Sequence, residues 1–175
     1  DHLHYHRAYK TPYELAQMRK AQAKAVRGHA AAEQAFRAGG SEAQINAAFL
    51  AASGHTDSDV PYNNIVALNE HAATLHYQYK SFHKPAHHRS LLIDAGAESD
   101  GYAADITRTY GNGFDLFEQL IGAIDKEQLA LCAQVKAGLD YRELHLQCHL
   151  RLAGVLNTLD IANMDPVTML DKRVS

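Results

Sequence analysis

Residues 90–110 have the sequence SLLIDAGAESDGYAADITRTY, which is typical of two β-strands joined by a tight turn. The pair Asp100-Gly101 is favoured in hairpin turns, because the central positions of the common two-residue turn require a positive φ. Apolar residues dominate the segments on either side. We therefore predict an antiparallel hairpin with strands at 90–95 and 102–110, and with residues 98–101 as its turn.

The predicted hairpin carries two aspartates, Asp94 on the first strand and Asp105 on the second. Successive strand residues point to opposite faces, so a turn with an even number of residues places both aspartates on one face. A four-residue turn would set them directly opposite, with Cβ atoms about 4.5–5.5 Å apart. A two-residue turn would make them diagonal neighbours, about 7–8 Å apart. Either turn brings the two carboxylates together.

Two carboxylates on one face of an otherwise apolar hairpin repel each other. A shared proton, an Arg or Lys partner, or bound metal would offset this repulsion. We favour metal, because paired carboxylates can bridge two cations about 3.5–4 Å apart. The alternative is that Asp94 caps a turn and Asp105 pairs with Arg108 or Arg89. Arg108 is the weaker candidate, since its strand position places it on the opposite face from Asp105.

The N-terminal part of the chain contains signals for two helices. The segment Thr11-Pro12-Tyr13-Glu14 has the features of a capping box with proline at the first helical position. This helix is expected to end at Gly39-Gly40, where glycine accepts the left-handed conformation. Ser41 and Gln44 form a second capping box, and Gly54 ends the second helix.

The rest of the sequence predicts an α+β fold with an antiparallel sheet covered by helices. Two further strands are expected at 65–68 and 74–77, and two further helices at 114–136 and 141–159. The last helix has a stripe of apolar residues at helical spacing that we expect to be buried, namely Leu144, Cys148, Leu152, Val155 and Leu159.

The composition excludes several classes of partner. The chain has 175 residues, a formal net charge of −3 and a pI near 6.5, so it lacks the basic surface typical of nucleic-acid-binding proteins. It has no apolar run long enough to span a membrane. Cys132 and Cys148 lack metal-binding or redox spacing and are expected to be buried and reduced, which favours a cytoplasmic protein.

Several segments resemble one enzyme family. The segments 93–97 and 101–110 look like the first metal-binding block of the Xaa-Pro dipeptidases (prolidases). These enzymes belong to the pita-bread metallopeptidases, together with methionine aminopeptidase and aminopeptidase P. The likeness extends to residues 5–11, 64–70 and 75–77 and is strongest to the bacterial group that includes the organophosphorus acid anhydrolases. The two aspartates also have the family's separation of eleven residues.

The resemblance implies a role for each matching residue. Asp94 would be a bidentate ligand of one metal ion, and Asp105 would bridge two. His76 would be catalytic, forming a hydrogen bond with substrate near the scissile amide, and it would line the substrate pocket with Tyr62 and Leu75. Thr107 would orient a ligand carboxylate. The alternative for His76 is a partly buried strand histidine with a satisfied hydrogen bond.

The resemblance also implies that the site extends beyond this chain. The family uses two divalent metal ions, with manganese as our first choice and cobalt or zinc as alternatives. Its other three ligands, one histidine and two glutamates, would follow residue 175, and a further domain would precede residue 1. Residues 1–175 would then be the first half of a pita-bread catalytic domain and inactive alone. His145 and His149 could coordinate a metal ion from one helix face, but we interpret them as surface residues.

The implied function is metal-dependent hydrolysis of Xaa-Pro dipeptides, by attack of a hydroxide that bridges two metals on the bond preceding proline. The full-length protein would be a cytoplasmic homodimer that binds neither nucleic acid nor membranes. Two alternatives stay open. One is a pita-bread module that binds without catalysing, and the other is a phosphotriester (organophosphate) hydrolase as a side activity.

Overall fold

The computed structural model of the protein describes residues 2–113 and 115–173, in two compact units that span residues 1–112 and 113–175. The first unit contains helices α1, α2 and α3, a short 3-10 helix and three strands; the second contains helices α4, α5 and α6. In chain order the elements are α1 (His2–Ala8), α2 (Pro12–Arg37), α3 (Glu42–Ser53), β1 (Ile65–Leu68), the 3-10 helix (Asn69–Ala73), β2 (Ser90–Ser99), β3 (Tyr102–Gly111), α4 (Asp115–Gln134), α5 (Tyr141–Thr158) and α6 (Pro166–Lys172).

Helices α2 and α3 begin at their predicted N-caps. The Thr11 hydroxyl accepts a hydrogen bond from the Glu14 backbone N–H, and the Glu14 carboxylate accepts one from the Thr11 N–H. Ser41 and Gln44 form the same reciprocal pair at the start of α3. Gly54 ends α3 in the left-handed conformation, with a φ of 75°. These local signals were sufficient because each cap satisfies backbone groups that the helix itself leaves unpaired.

The predicted hairpin is confirmed, and its strands are longer than predicted. Strand β2 pairs antiparallel with both neighbours, so the sheet order is β1-β2-β3. Ser99 faces Tyr102 across the hairpin, which leaves Asp100 and Gly101 as a two-residue turn. Their φ values of 55° and 80° fit the turn type that matches the twist of the strands.

One face of the sheet packs against α2 and α3 and forms the core of the first unit. Alanine and glycine on α2 allow close approach; at Gly28, for example, a Cβ atom would lie 2.6 Å from the Phe49 ring. The fold is therefore the predicted α+β class, with helices covering an antiparallel sheet. The buried core cluster consists of Ala32, Phe36, Ile45, Phe49, Val66, Leu68, Leu91, Ile93 and Ala95.

The prediction of a strand at 74–77 is wrong. Strand β1 ends at Leu68, and Asn69 adopts a φ of 52° that turns the chain into the 3-10 helix. His76 also has a positive φ, which a continuing strand does not permit. Other contacts hold this segment: the Thr74 N–H donates to the His71 carbonyl oxygen at the end of the 3-10 helix, and the Tyr77 hydroxyl donates to the distant side chain of Glu42.

The second unit confirms two predicted helices, α4 and α5, although residue 114 of the predicted first helix lies outside the described residues. Helix α5 packs against both α4 and α6. The prediction of buried cysteines is wrong, since Cys132 and Cys148 are both exposed. A unit of three helices buries few side chains, and Val155 is the one member of the predicted stripe that is buried. No described helix is long and apolar enough to span a membrane.

Candidate metal centre

Asp94 and Asp105 share the face of the sheet that points away from α2 and α3. Asp94 lies on the central strand opposite Thr107, and Asp105 lies on the edge strand opposite Gly96. The two aspartates are thus diagonal neighbours, as the two-residue turn requires. Asp94 is half-buried and Asp105 is exposed. The register places both carboxylates together, as the spacing predicted.

The side chain of Tyr62 links the two aspartates. Its hydroxyl oxygen lies 2.9 Å from Asp94 Oδ1 and 2.8 Å from Asp105 Oδ1. A phenol has one hydrogen and can donate to one carboxylate at a time. The two carboxylates therefore share a single hydrogen from Tyr62.

Tyr62 remains a donor because it is difficult to ionise. Burial of the ring raises the pKa of Tyr62 far above its ordinary value of 10.0. The hydrogen bonds to Asp105 and Asp94 raise this pKa further, because a phenolate would face two negative charges. At neutral pH the hydroxyl is protonated and bonded to the aspartate pair.

Glycine at position 96 makes room for Tyr62. A Cβ atom on Gly96 would lie 2.7 Å from Cε1 of Tyr62 and 3.1 Å from Cγ of Pro61, and it would overlap the carbonyl oxygen of Ala104. The tyrosine ring therefore packs directly against the backbone of Gly96, close to Asp94. The sequence Asp94-Ala95-Gly96 thus encodes both a carboxylate and the space for its partner.

Helix α2 supports the aspartate strand from the other side of the sheet. His29 on α2 is buried, and its Nε2 lies 3.1 Å from the Ala95 carbonyl oxygen. The imidazole ring packs edge-on against Phe49. Burial lowers the pKa of His29, although the hydrogen bond to Ala95 opposes this effect. The imidazole is therefore neutral at pH 7 and ties the strand next to Asp94 to the helix.

The two arginines considered as partners for Asp105 are engaged elsewhere. Arg108 lies opposite Ile93, on the face of the sheet that packs against the helices, and it donates to the Thr107 carbonyl oxygen at 2.8 Å. Arg89 pairs with Glu70 at 2.9 Å. The prediction that strand position separates Arg108 from Asp105 is confirmed.

The residues of this centre fit hard divalent cations in part. Carboxylate oxygens are the ligands that Mn²⁺ and Mg²⁺ prefer. Within residues 2–113 and 115–173, no group of three or more His, Cys, Asp or Glu side chains is assembled around one point. Asp94 and Asp105 could thus supply part of a site for such a cation.

His76 and Leu75 lie on a separate loop that follows the 3-10 helix. Leu75 is 85% exposed and His76 is also exposed. The backbone of His76 has a φ of 52°, which is uncommon for a residue other than glycine. The alternative interpretation of His76 as a partly buried strand residue is therefore wrong. Of the residues assigned to the site, the structure brings Tyr62 to the aspartates and leaves His76 on the loop surface.

Two features of the site were not predicted from the sequence. The link between Tyr62 and the aspartates depends on a loop folding over Gly96, and the pattern of loop residues 55–63 carries no signal for this contact. The other is buried Glu42, which accepts hydrogen bonds from the segment that carries His76. Its position in the first turn of a helix is the ordinary place for an exposed glutamate.

Comparison with known proteins shows what the chain is similar to. Residues 16–156 match the model of metallopeptidase family M24. The chain is 57% identical over 162 residues to an Xaa-Pro dipeptidase of Sodalis glossinidius (strain morsitans), a match that covers 92% of this chain and 37% of the relative. It is 58% identical over 157 residues to an Xaa-Pro dipeptidase of Citrobacter koseri, covering 89% of this chain and 35% of that protein.

Solved structures agree on the fold. The chain superposes on zinc-substituted Escherichia coli aminopeptidase P in complex with product with a TM-score of 0.83 and 23% identity, over 95% of this chain and 38% of that one. The chain thus spans little more than a third of the length of the proteins it matches. The match to the family model covers most of the sequence, and the chain therefore belongs to metallopeptidase family M24, the pita-bread metallopeptidases.

Proposed function

We propose that this chain is part of an Xaa-Pro dipeptidase, in which Asp94 and Asp105 hold two divalent cations. The observation that carries the proposal is the pair of carboxylates brought to one sheet face and joined by a single hydroxyl, that of Tyr62. High identity to Xaa-Pro dipeptidases supports the choice of substrate. The remaining ligands belong to parts of the protein beyond these residues.

Each residue of the metal centre has its own role in this proposal. Asp94 and Asp105 would together hold the two cations through their carboxylate oxygens. The Tyr62 hydroxyl orients the carboxylates. Thr107 lies opposite Asp94 on the neighbouring strand, where its hydroxyl can also orient the Asp94 carboxylate. When bound, a pair of divalent cations supplies a water of lowered pKa and polarises the substrate carbonyl.

The loop residues act on the substrate. His76 donates a hydrogen bond near the scissile amide and stabilises the charge that develops there. Leu75 and Tyr62 line the pocket that receives the dipeptide. A proline nitrogen carries no N–H, so recognition has to rely on shape and on the carbonyl and terminal groups. The exposure of Leu75 and His76 leaves both side chains available for such contacts.

The ligand atoms guide the choice of metal. Oxygen ligands favour Mn²⁺, and a histidine ligand from elsewhere in the protein would shift the preference toward Co²⁺ or Zn²⁺. We propose manganese as the native metal. A cytoplasmic location and a homodimeric full-length protein stay predictions from the family resemblance.

A substrate comparison on the complete protein tests the proposal. The protein is stripped with a chelator, reloaded with Mn²⁺, Co²⁺ or Zn²⁺, and assayed on Ala-Pro, Ala-Ala and a phosphotriester. We expect hydrolysis of Ala-Pro that depends on added metal and exceeds hydrolysis of Ala-Ala. Hydrolysis of the phosphotriester alone would favour the organophosphate hydrolase. No hydrolysis with any metal would favour a non-catalytic binding module.

A further inference from the structure

Glu42 is a buried carboxylate that accepts four hydrogen bonds. Its side chain is 1% exposed at the start of α3. Oε1 accepts from the Leu68 backbone N–H at 2.9 Å and from Nδ1 of His71 at 2.7 Å. Oε2 accepts from the Tyr77 hydroxyl at 3.0 Å and from the Ser81 backbone N–H at 2.9 Å. The carboxylate therefore has two donors on each oxygen.

All four donors belong to one segment, residues 68–81, which we name the His76 loop. Leu68 and Ser81 are the two ends of this loop, and both bind the same carboxylate. The Ser81 carbonyl oxygen also accepts a hydrogen bond from the Ala43 N–H at 3.1 Å. Both ends of the loop are thus fixed to the first turn of α3, as in compact loops whose ends meet.

Two side chains inside the loop extend the same contact. The His71 and Tyr77 rings stack with centroids 4.7 Å apart and an interplanar angle of 23°. Each of these rings also binds Glu42. They stand on either side of His76 in the chain, so the backbone that carries His76 is held from both directions.

The backbone at His76 needs such support. Its φ of 52° lies in the left-handed region, which side chains other than glycine adopt at a cost in conformational energy. Outside the 3-10 helix, the loop has no regular structure to maintain this conformation. Conformations of this kind persist where surrounding contacts determine them. In this loop four hydrogen bonds converge on Glu42, whereas Asn69 and Glu70 contact residues 87–90.

The charge of Glu42 suits this role. Burial alone would raise the pKa of Glu42, but hydrogen bonds from Leu68, His71, Ser81 and Tyr77 outweigh it and hold the pKa below its ordinary value. An ionised carboxylate can accept from all four donors at once, whereas a neutral amide cannot. The amino terminus of α3 stabilises the negative charge further.

We propose that Glu42 is a positioning residue that anchors the His76 loop and thereby holds His76 in the conformation in which it meets the substrate. The part of this inference that concerns substrate rests on the proposed function. The part that concerns the loop rests on the hydrogen bonds alone. Glu42 itself does not touch the substrate.

Amide hydrogen exchange in the complete protein tests the anchoring. Glu42→Gln keeps the shape of the side chain but replaces one acceptor oxygen with a donor. We expect amide exchange in residues 68–81 to become roughly ten-fold faster or more, with amides of the β2–β3 hairpin changing much less. The matched control is Glu70→Gln, a change in the same loop at an exposed residue. This variant should exchange like the wild type.

Steady-state kinetics on Ala-Pro test the consequence for His76. In Glu42→Gln we expect kcat to fall roughly ten- to a hundred-fold while KM changes little. The reason is that a misplaced His76 would stabilise the transition state less well without weakening substrate binding. Tyr77→Phe removes one of the four hydrogen bonds and should give a smaller change of the same kind. This variant also serves if Glu42→Gln does not fold. Glu70→Gln should keep the wild-type kcat.

The outcomes separate the two proposals. Faster exchange confined to the loop, together with a lower kcat, supports the positioning role. Exchange that rises equally in the loop and the hairpin would overturn it, because Glu42 would then stabilise the whole unit. A loosened loop with an unchanged kcat would also overturn it. If the wild-type protein cleaves no Xaa-Pro dipeptide, the proposed function fails, whereas the exchange data still decide whether Glu42 anchors the loop.

Discussion

At the scale of single residues, the structure depends on which hydrogen-bond donors contact its buried or closely spaced carboxylates. Asp94 and Asp105 share one phenolic hydrogen, whereas Glu42 has four donors. The aspartate pair has one shared donor and is partly open to solvent, which leaves carboxylate oxygens available to bind cations. Glu42 is fully compensated, which suits a fixed structural contact. The sequence predicted the first of these features and not the second.

Replacing Tyr62 with Phe should destabilise the protein most when metal is absent. The hydroxyl then has no substitute beside the two carboxylates, and its loss should cost about 1–2 kcal/mol. Saturating Mn²⁺ should compensate the carboxylates and reduce this difference. Thermal melting of the complete protein with chelator and with Mn²⁺ measures both values. Tyr79→Phe, at an exposed tyrosine, is the control. An equal loss of stability under both conditions would contradict the shared-donor interpretation.

The contribution of Glu42 should depend on pH in a defined direction. Its pKa in the folded protein lies below the ordinary value of 4.5. A depressed pKa gives stability that is present above 4.5 and is lost as pH falls below it. We expect the melting temperatures of wild type and Glu42→Gln to differ by a constant amount near neutral pH and to converge in acid. His29 titrates in both proteins, so its effect on the melting temperature cancels in the difference between them. A difference that widened in acid would contradict the prediction.

At the scale of secondary-structure elements, predictions held where local chemistry determines the conformation. The caps at Thr11 and Ser41 and the turn at Asp100-Gly101 each satisfy backbone requirements within a few residues. At 74–77 the structure has a loop instead of the expected strand: the Thr74 N–H closes the 3-10 helix, and the Tyr77 hydroxyl binds Glu42, which is far away in the sequence. Pattern analysis does not detect such a contact, since the alternation of apolar residues at 74–77 is the same in a strand or a loop.

The β2–β3 hairpin should tolerate no side chain at position 96. Gly96→Ala would place a methyl group against the Ala104 carbonyl oxygen and the Tyr62 ring. We expect a loss of about 2 kcal/mol in the free energy of unfolding, together with weaker metal binding. Gly122→Ala is the control, because nothing lies within 4 Å of its Cβ position in α4 and alanine favours helix. A neutral effect of Gly96→Ala would show that Tyr62 does not need this space.

At the scale of the whole molecule, the chain corresponds to part of longer metallopeptidases of family M24. It matches little more than a third of the length of its relatives, and its described residues assemble two carboxylates without a third ligand. The sequence predicted the fold class and the aspartate pair, because both depend on the hairpin. The division into units at residues 112 and 113 was not apparent from composition, since no linker-like segment marks it.

Residues 1–175 alone should not hydrolyse Ala-Pro, because two carboxylates do not hold a catalytic metal pair. The complete protein should hydrolyse it when supplied with metal. Assays of both polypeptides at equal molar concentration, with Mn²⁺ in excess, measure this difference. Circular dichroism of the shorter polypeptide checks that helices are present. Turnover by residues 1–175 at a rate comparable to the complete protein would contradict the prediction.

The most direct test of the central claim is the metal content of the complete protein with and without Asp105. Wild type, Asp105→Asn and the exposed control Asp125→Asn are loaded with Mn²⁺, desalted and measured by elemental analysis alongside Ala-Pro hydrolysis. We expect about two metal ions per chain in wild type and Asp125→Asn, and loss of metal with at least a hundred-fold lower activity in Asp105→Asn. Full metal content and wild-type activity in Asp105→Asn would contradict the assignment of Asp94 and Asp105 as the metal-binding pair.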